Sequence, residues 1–262
     1  MDVDEALRRV RLIAPMLRKD VRTAVLSHAA MEASNDLIPK GMTGLHSEFT
    51  DTFGIVQNGL ALKLALDLAR IFDLSVGGRF PPEEQDKASV QVLAALLMRA
   101  DVRARLEKEA SAWFAGVSSI GTIGMAPAGA VEAALKALGE EHRTKDLSDC
   151  QAAIGDLLSV VDRLTEDGTE EKVALSRIRQ FRNRRLAHSL FDKEPDELPR
   201  YSDMNLLLKI AMEVAKHASL AIEGLNTEFE DQAKRARKNA DGYAACLLEG
   251  LKQKAIPISP AS

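Results

Sequence analysis

Arginines and one histidine are concentrated in the segment RQFRNRRLAHSLF, which spans residues 179–191 and is called the motif segment below. Residues 171–190 contain five arginines and one lysine against a single acid, Glu171, although the whole chain has a formal charge of −4. A local excess of positive charge attracts phosphate groups. A histidine titrates near neutral pH and can accept or donate a proton. The segment therefore contains the residue types needed to hold a phosphate and to move a proton beside it.

One arginine of this segment falls among apolar residues when the segment is drawn as a helix. At about 100° per residue, the side chains near one line are Leu175, Ile178, Arg182 and Leu186. A partly buried guanidinium needs a partner of matching geometry, which can be a carboxylate, a backbone carbonyl or a bound phosphate. Asp67 and Asp73 lie on an otherwise apolar stretch upstream, so each is a candidate to orient Arg182 or Arg185.

A straight helix does not bring Arg182 and His188 together. The two residues are separated by about 120° around the helix axis and by roughly 9 Å along it. Arg184 is one turn from His188 and faces it better. Three arrangements remain open: a composite site in which Arg182 serves the histidine of a second chain, a distorted helix, or a site in which Arg184 shares the work.

The sequence RNRRLAH has the form R-N-x4-H, which resembles the signature of the HEPN superfamily. The resemblance extends to the flanking segments and is closest to the abortive-infection U-type branch. These segments are LDLARIFD, DKASVQVLAALL and YSDMNLLLKIAMEVAKHASLAI. Together with the motif, the similar part of the chain covers about residues 47–222.

The resemblance implies an all-α fold, an up-and-down helical bundle of the HEPN type with long helices. It also implies a homodimer that brings two R-N-H sets into one cleft. A C-terminal helical extension follows the bundle in this chain. We expect the bundle in residues 1–222, the extension in residues 223–253 and a disordered tail in residues 254–262.

In active HEPN proteins the reaction is RNA cleavage without a metal or cofactor. The ribose 2′-OH attacks the adjacent phosphate and leaves a 2′,3′-cyclic phosphate and a 5′-OH. By resemblance, Arg182 would hold the scissile phosphate, Asn183 would support it, and His188 would be general base or acid. The further arginines expected to contact RNA are Arg179, Arg184 and Arg185. Our leading interpretation is therefore an endoribonuclease of a phage-defence or toxin–antitoxin system, with an antitoxin or defence protein as a partner.

Two other interpretations stay open, because not every HEPN protein cleaves RNA. The first is a non-catalytic helical module that binds RNA, a nucleotide or a partner protein through the basic helix. The second is a purely structural dimer, in which the arginines pair with acids such as Asp192 and Glu194. Salt-sensitive RNA binding without a cleavage product would favour the module, and a lack of RNA affinity would favour the structural dimer.

The composition favours helices and a cytoplasmic location. Hydrophobic residues make up 46% of the chain, enough for a core, while aromatic residues make up only 4% and no strand pattern stands out. Cys150 and Cys246 form neither a zinc nor a disulfide pattern, so both are expected in the core of a protein from a reducing compartment. No apolar run reaches the roughly 20 residues needed to cross a bilayer.

The sequence gives less reason to assign a function to the other histidines than to His188. His28, His46 and His142 have no partner at the spacing of a metal site or a catalytic triad. His217 lies on an apolar helical line, which is typical of a hydrogen-bonded core histidine.

Apolar periodicity, glycines and prolines predict the elements that must position the motif. The expected helices cover about residues 3–35, 47–73, 86–113, 127–139, 147–165, 169–191 and 202–251. We expect a kink or break at Pro15, a loop at 36–46, and interruptions of the last helix at Gly224 and Gly242. The apolar second half of the helix at 47–73 is expected to lie at the centre of the bundle.

Overall fold

A computed structural model describes residues 1–74, 80–113, 128–186 and 197–257, and for residues 128–132, 185–186 and 257 it describes the backbone alone. Within these ranges the chain forms eight α-helices and two strands of three residues each. The prediction of an all-α helical bundle is therefore confirmed. None of the helices in these ranges is both long and apolar enough to cross a membrane.

The helices are α1 (Val3–Gly41), α2 (Thr50–Ile71), α3 (Val90–Leu97), α4 (Ala100–Ala110), α5 (Ala128–Thr165), α6 (Glu170–Phe181), α7 (Tyr201–Glu223) and α8 (Phe229–Gln253). A 3-10 turn covers Pro82–Glu84, and a π-helical segment, Arg182–Leu186, directly follows α6. This second element is called the π segment below. Strands β1 (Leu45–Ser47) and β2 (Ala255–Pro257) pair antiparallel, with His46 opposite Ile256.

The helices form two compact units that are interleaved in sequence. Unit 1 consists of Met1–Leu17, Leu74–Arg163 and Glu213–Thr227. Unit 2 consists of Arg18–Asp73, Leu164–Met212 and Glu228–Ser262. The motif segment therefore belongs to unit 2, together with α2 and α8. The sequence-based division at residues 222 and 223 remains a prediction.

Three long helices differ from the sequence-based expectation. Helix α1 is continuous through Pro15 to Gly41, so a break at Pro15 was wrong, and the loop expected at 36–46 was wrong for residues 36–41. The neighbours Ile13, Ala14 and Leu17 are buried, and this packing holds the helix where one backbone hydrogen bond is lost. Helix α5 likewise replaces two expected shorter helices, and α8 passes through Gly242 without interruption.

Unit 2 has a small apolar core beside its two strands. The C-terminal turns of α8 pack Leu248 and Leu251 against Ile38 at the end of α1. Phe53 and other partly buried residues cover this cluster. Because β2 follows directly and pairs with β1, residues 255–257 are ordered as a strand, and the expectation of a disordered tail from residue 254 was wrong for them. Residues 258–262 lie outside the described residues.

The two cysteines occupy different environments. Cys150 is buried in unit 1, and its thiol donates to the carbonyl of Ala221 over 3.4 Å. Burial, with a smaller contribution from the charge of Glu107, raises the pKa of this thiol to about 11. Cys246 is exposed on α8, so the expectation that both cysteines are core residues was wrong for Cys246.

A glycine ends α7 in a conformation that other residues rarely adopt. Gly224 has a φ of +66° and donates its N–H to the carbonyl of Leu220 over 3.0 Å. A Cβ atom at this position would lie 3.0 Å from the ring of Trp113. Both the left-handed backbone and the close ring favour glycine here.

We predict opposite stability effects for two glycine-to-alanine substitutions in unit 1. Gly224→Ala should lower the free energy of unfolding by about 1–2 kcal/mol, because alanine resists positive φ. Gly155→Ala, in the exposed middle of α5 with nothing within 4 Å of its Cβ position, should raise it by about 0.5–1 kcal/mol. Urea unfolding followed by the fluorescence of the single tryptophan measures both; equal shifts for the two variants would contradict the prediction.

Candidate functional site

The motif segment begins in α6, and a glycine and a capping threonine define where this helix starts. Gly168 has a φ of +86°, and the Thr169 hydroxyl caps α6 by accepting from the N–H of Lys172 over 3.2 Å. Two acids in the first turn, Glu170 and Glu171, suit the positive end of the helix dipole. The buried face of α6 consists of Ala174, Leu175, Ile178 and Phe181. Both α6 and the π segment pack against α2.

Arg182 follows this apolar face and is held at the end of α2. Its side chain is 26% exposed, and its Nη1 donates to Oδ1 of Asp73 over 2.6 Å. Its Nε donates to Oδ1 of the exposed Asn183 over 2.9 Å. The partner that the sequence analysis required for a half-buried guanidinium is therefore a carboxylate. Of the two candidates, Asp73 fills this role, and Asp67 pairs with Lys63 and Arg70 instead.

Arg179 reaches the same end of α2, one turn before Arg182. Its Nη2 donates to the backbone carbonyl of Phe72 over 2.7 Å. The last carbonyls of a helix lack partners within the helix and carry partial negative charge, so a guanidinium is favourable there. Burial lowers the pKa of Arg179, while the charge of Asp73 acts in the opposite direction.

A third arginine of the basic helix, Arg177, is bound to two acids. Its Nε donates to Glu197 over 2.5 Å, and its Nη1 lies 3.3 Å from Oδ1 of the buried Asp203. The hydrogen bond to Glu197, aided by the charge of Asp203, raises the pKa of Arg177. Together with the contacts of Arg179 and Arg182, these ion pairs compensate much of the positive charge that the sequence concentrates here.

The remaining predicted site residues are described only in part. Arg184 is half-buried in the π segment. Arg185 belongs to the same segment, but its side chain lies outside the described residues, and so does the whole of His188. The structure therefore brings together Arg179, Arg182 and Asn183, and it leaves the position of the histidine as a prediction.

The helix changes its geometry at Arg182. A π-helical turn is wider than an α-helical turn and is frequent at functional sites. Residues 182–186 are thus distorted, but His188 lies outside the described residues, so all three arrangements left open by the sequence stay open. Side-chain directions beyond Arg182 therefore cannot be derived from a straight helical wheel.

Three partners of the α6 arginines Arg177 and Arg179 could hardly be predicted from the sequence. The Phe72 carbonyl is a backbone atom, which no residue type reveals. Asp203 and Glu197 are 26 and 20 residues from Arg177 along the chain. The acid-rich segment before α7 was the available hint, since acids near a basic helix offer partners.

One face of α2 is apolar and exposed. Leu64, Ala65 and Leu68 are buried, but Ile55 is 72% exposed and Leu62 and Leu66 are 41% and 44% exposed. The sequence-based expectation that α2 lies at the centre of the bundle was therefore wrong for this face. The exposed residues along this apolar face are Ile55, Gly59, Leu62 and Leu66, and we call them the α2 seam. Their spacing of four, three and four residues is that of coiled-coil contact positions.

An all-α bundle in a chain that carries an R-N-x4-H sequence is what the resemblance to the HEPN class implied. Residues 43–243, more than three quarters of the chain, match the family HEPN_AbiU2, described as AbiU2, and the chain belongs to this family. It is thus an abortive-infection-type HEPN domain, as the sequence analysis predicted. Comparisons with curated proteins and with solved structures each gave no match. Among the described residues, no group of three or more His, Cys, Asp or Glu side chains could hold a metal ion.

We predict that the Arg182–Asp73 pair couples α6 to α2 energetically. In a double-mutant cycle with Arg182→Ala and Asp73→Ala, the coupling free energy should be about 1 kcal/mol or more, because both side chains are three-quarters shielded from water. The matched control is Arg143 with Glu140, an exposed pair for which coupling should stay below about 0.5 kcal/mol. Urea unfolding of the four proteins in each cycle gives both values, and equal coupling in the two cycles would refute the assignment.

Proposed function

We propose that the protein is a metal-independent endoribonuclease of a bacterial abortive-infection system and acts in the cytoplasm. The observation that carries the proposal is Arg182, half-buried at a π-helical distortion and oriented by Asp73 and Asn183. A guanidinium fixed in this way suits a phosphate that gains charge during the reaction. The AbiU2 family membership and the R-N-x4-H sequence support the same conclusion.

In the proposed reaction, the ribose 2′-oxygen forms a bond to the adjacent phosphorus while the bond to the 5′-oxygen breaks. His188 of one chain takes the proton from the 2′-OH, and an acid gives a proton to the departing 5′-oxygen. His188 of a second chain supplies that acid in a composite site. Arg182 binds the scissile phosphate, Asn183 keeps its guanidinium in place, and Arg184, Arg185 and Arg179 contribute positive charge around the RNA.

We infer that a second copy of the chain packs on the α2 seam. An exposed apolar surface of this length, with coiled-coil spacing, is costly in water and is typical of a helix that meets a partner helix. Gly59 in its middle allows close approach, since nothing lies within 4 Å of its Cβ position. The Asp73–Arg182 pair lies just beyond the C-terminal end of the same helix.

The direction of this packing decides whether a composite site can form. If the two α2 helices run parallel, their C-terminal ends and both Asp73–Arg182 pairs come together. If they run antiparallel, the two pairs lie about 33 Å apart, the length of a 22-residue helix. We propose the parallel arrangement, because one phosphate cannot contact both motif segments across the longer distance.

We predict that two substitutions in the motif abolish RNA cleavage. His188→Ala and Arg182→Ala should each lower the cleavage rate by about 10²–10⁴-fold, since each removes a proton-transfer or charge-stabilising group. The assay uses a single-stranded RNA oligonucleotide and detects the 2′,3′-cyclic phosphate by mass spectrometry. Arg143→Ala, on the exposed surface of α5, is the matched control and should cleave at the wild-type rate.

Two further conditions make this test decisive. EDTA should leave the rate unchanged, and a 2′-deoxy residue at the cleaved position should block the reaction because the nucleophile is missing. Wild-type cleavage by folded His188→Ala would sink the catalytic assignment. Thermal unfolding of each variant separates loss of chemistry from loss of fold.

We predict that charge in the α2 seam prevents dimerisation. Leu62→Glu should convert a dimer to a monomer in sedimentation-velocity experiments, because a carboxylate cannot be buried without a partner. It should also abolish cleavage, although Arg182 and His188 are retained. The matched control is Leu26→Glu, a leucine on α1 that is 53% exposed, compared with 41% for Leu62; this variant should stay dimeric. A wild-type monomer, or a Leu62→Glu dimer, would contradict the proposal.

The ion pairs of the motif favour one alternative function. Arg177, Arg179 and Arg182 all contact protein groups, which is the arrangement of a structural dimer whose basic helix stabilises the fold. Such a protein would neither bind nor cleave RNA. A lack of RNA affinity together with a large loss of stability in Arg182→Ala would identify it.

A further inference from the structure

A cavity of about 670 Å³ lies within unit 2, between α1, α7 and α8. Among the residues that the structure describes, none of its lining residues belongs to α6 or the π segment. Cavities of this size bury most of a drug-sized or nucleotide-sized ligand. The floor is apolar and consists of Val25, Ala29 and Leu208, each no more than 5% exposed.

The rim of the cavity is basic. Lys209, Lys234, Arg237 and Lys238 line it, together with the two carboxylates of Glu32 and Asp241. Arg237 pairs with both carboxylates, at 3.3 Å and 2.8 Å, and also with Asp36 at 2.7 Å. The four basic side chains of the lining exceed its two carboxylates, so the lining has a formal net charge of +2.

The lysines remain as an excess of positive charge at the rim. Lys209 and Lys238 have no ion-pair partner within the described part of the chain, and Lys234 has one loose contact, 3.5 Å from Asp231. An apolar floor below uncompensated cations is complementary to a molecule with an apolar body and an anionic group.

A fixed polar group faces the same cavity. His28, 16% exposed, bonds through Nε2 to Oδ1 of Asn205 and lies 3.6 Å from Glu32. Its ring stacks on Tyr201 with 5.9 Å between centroids and 22° between planes. Burial and the neighbouring Glu32 raise the pKa of Tyr201, so the phenol stays neutral and holds its hydrogen. His28, which the sequence analysis set aside, is thus an ordered part of the wall.

We propose that this cavity binds an aromatic organic anion, with its ring over Val25 and Leu208 and its anionic group at Lys209 and Lys238. A nucleoside monophosphate and a carboxylated aromatic metabolite share this chemistry. The site lies outside the R-N-x4-H motif, so the proposal does not depend on RNA cleavage.

The test uses 8-anilinonaphthalene-1-sulfonate, a fluorescent aromatic sulfonate, with the full-length protein. We expect saturable binding at one site per chain. Lys209→Gln with Lys238→Gln should weaken it about fivefold or more, since each removes a charge contact. Ala233→Trp should abolish it, because the indole fills the cavity from α8. The control Ala245→Trp lies on the exposed surface of α8 away from the cavity and should bind like the wild type.

Competition then identifies the source of the ligand. Displacement of the dye by adenosine monophosphate would indicate a nucleotide, and displacement by 2-naphthoate alone would indicate an aromatic acid. Thermal unfolding and far-ultraviolet circular dichroism verify that each variant is folded. Dye binding that survives in folded Ala233→Trp, or that is insensitive to the two lysines, would overturn the proposal.

Discussion

The position of the motif segment depends on the C-terminal end of α2. Two arginines one turn apart hold it, Arg179 at the Phe72 carbonyl and Arg182 at the Asp73 carboxylate. The carbonyl at the end of a helix lacks a partner within the helix, and the carboxylate beyond it carries a full negative charge, so both are favourable places for a guanidinium. Because these contacts join α6 to α2, they also set where the π segment begins and where Asn183 lies. The geometry of the candidate site is therefore a consequence of how two helices meet.

The same contacts reduce the attraction of the basic helix for RNA. A sequence with five arginines and one histidine suggests a strong field for RNA, but Arg177, Arg179 and Arg182 are each bound to protein groups. Charge that is paired inside a monomer attracts a phosphate less than free charge does. An RNA phosphate at Arg182 must compete with Asp73 for the guanidinium or share it. To share it, the phosphate must accept from the N–H groups that bind neither Asp73 nor Asn183. Binding and fold stability are thus coupled through one side chain.

Unit 2 presents two different surfaces to possible partners. The α2 seam is apolar and long, and it ends near the Asp73–Arg182 pair, so it suits a second copy of the chain. The cavity between α1, α7 and α8 is partly open to solvent and has a basic rim, so it suits a small anion. Both features belong to unit 2, and α8 supplies part of the cavity wall. The C-terminal helix, an extension whose role the sequence left open, therefore completes a candidate binding site.

Periodicity and composition determined the helical class, and the R-N-x4-H sequence determined the family, because both are local properties of the chain. The apolar line through Leu175, Ile178 and Arg182 also required a partner for the arginine, and Asp73 is that partner. Continuity of α1 through Pro15 could not be predicted, since burial of Ile13 and Leu17 outweighs the lost hydrogen bond. The π segment, the Phe72 carbonyl and the pairing of β1 with β2 were decided only by tertiary structure. Each of these depends on contacts between residues distant in sequence, which no local pattern encodes.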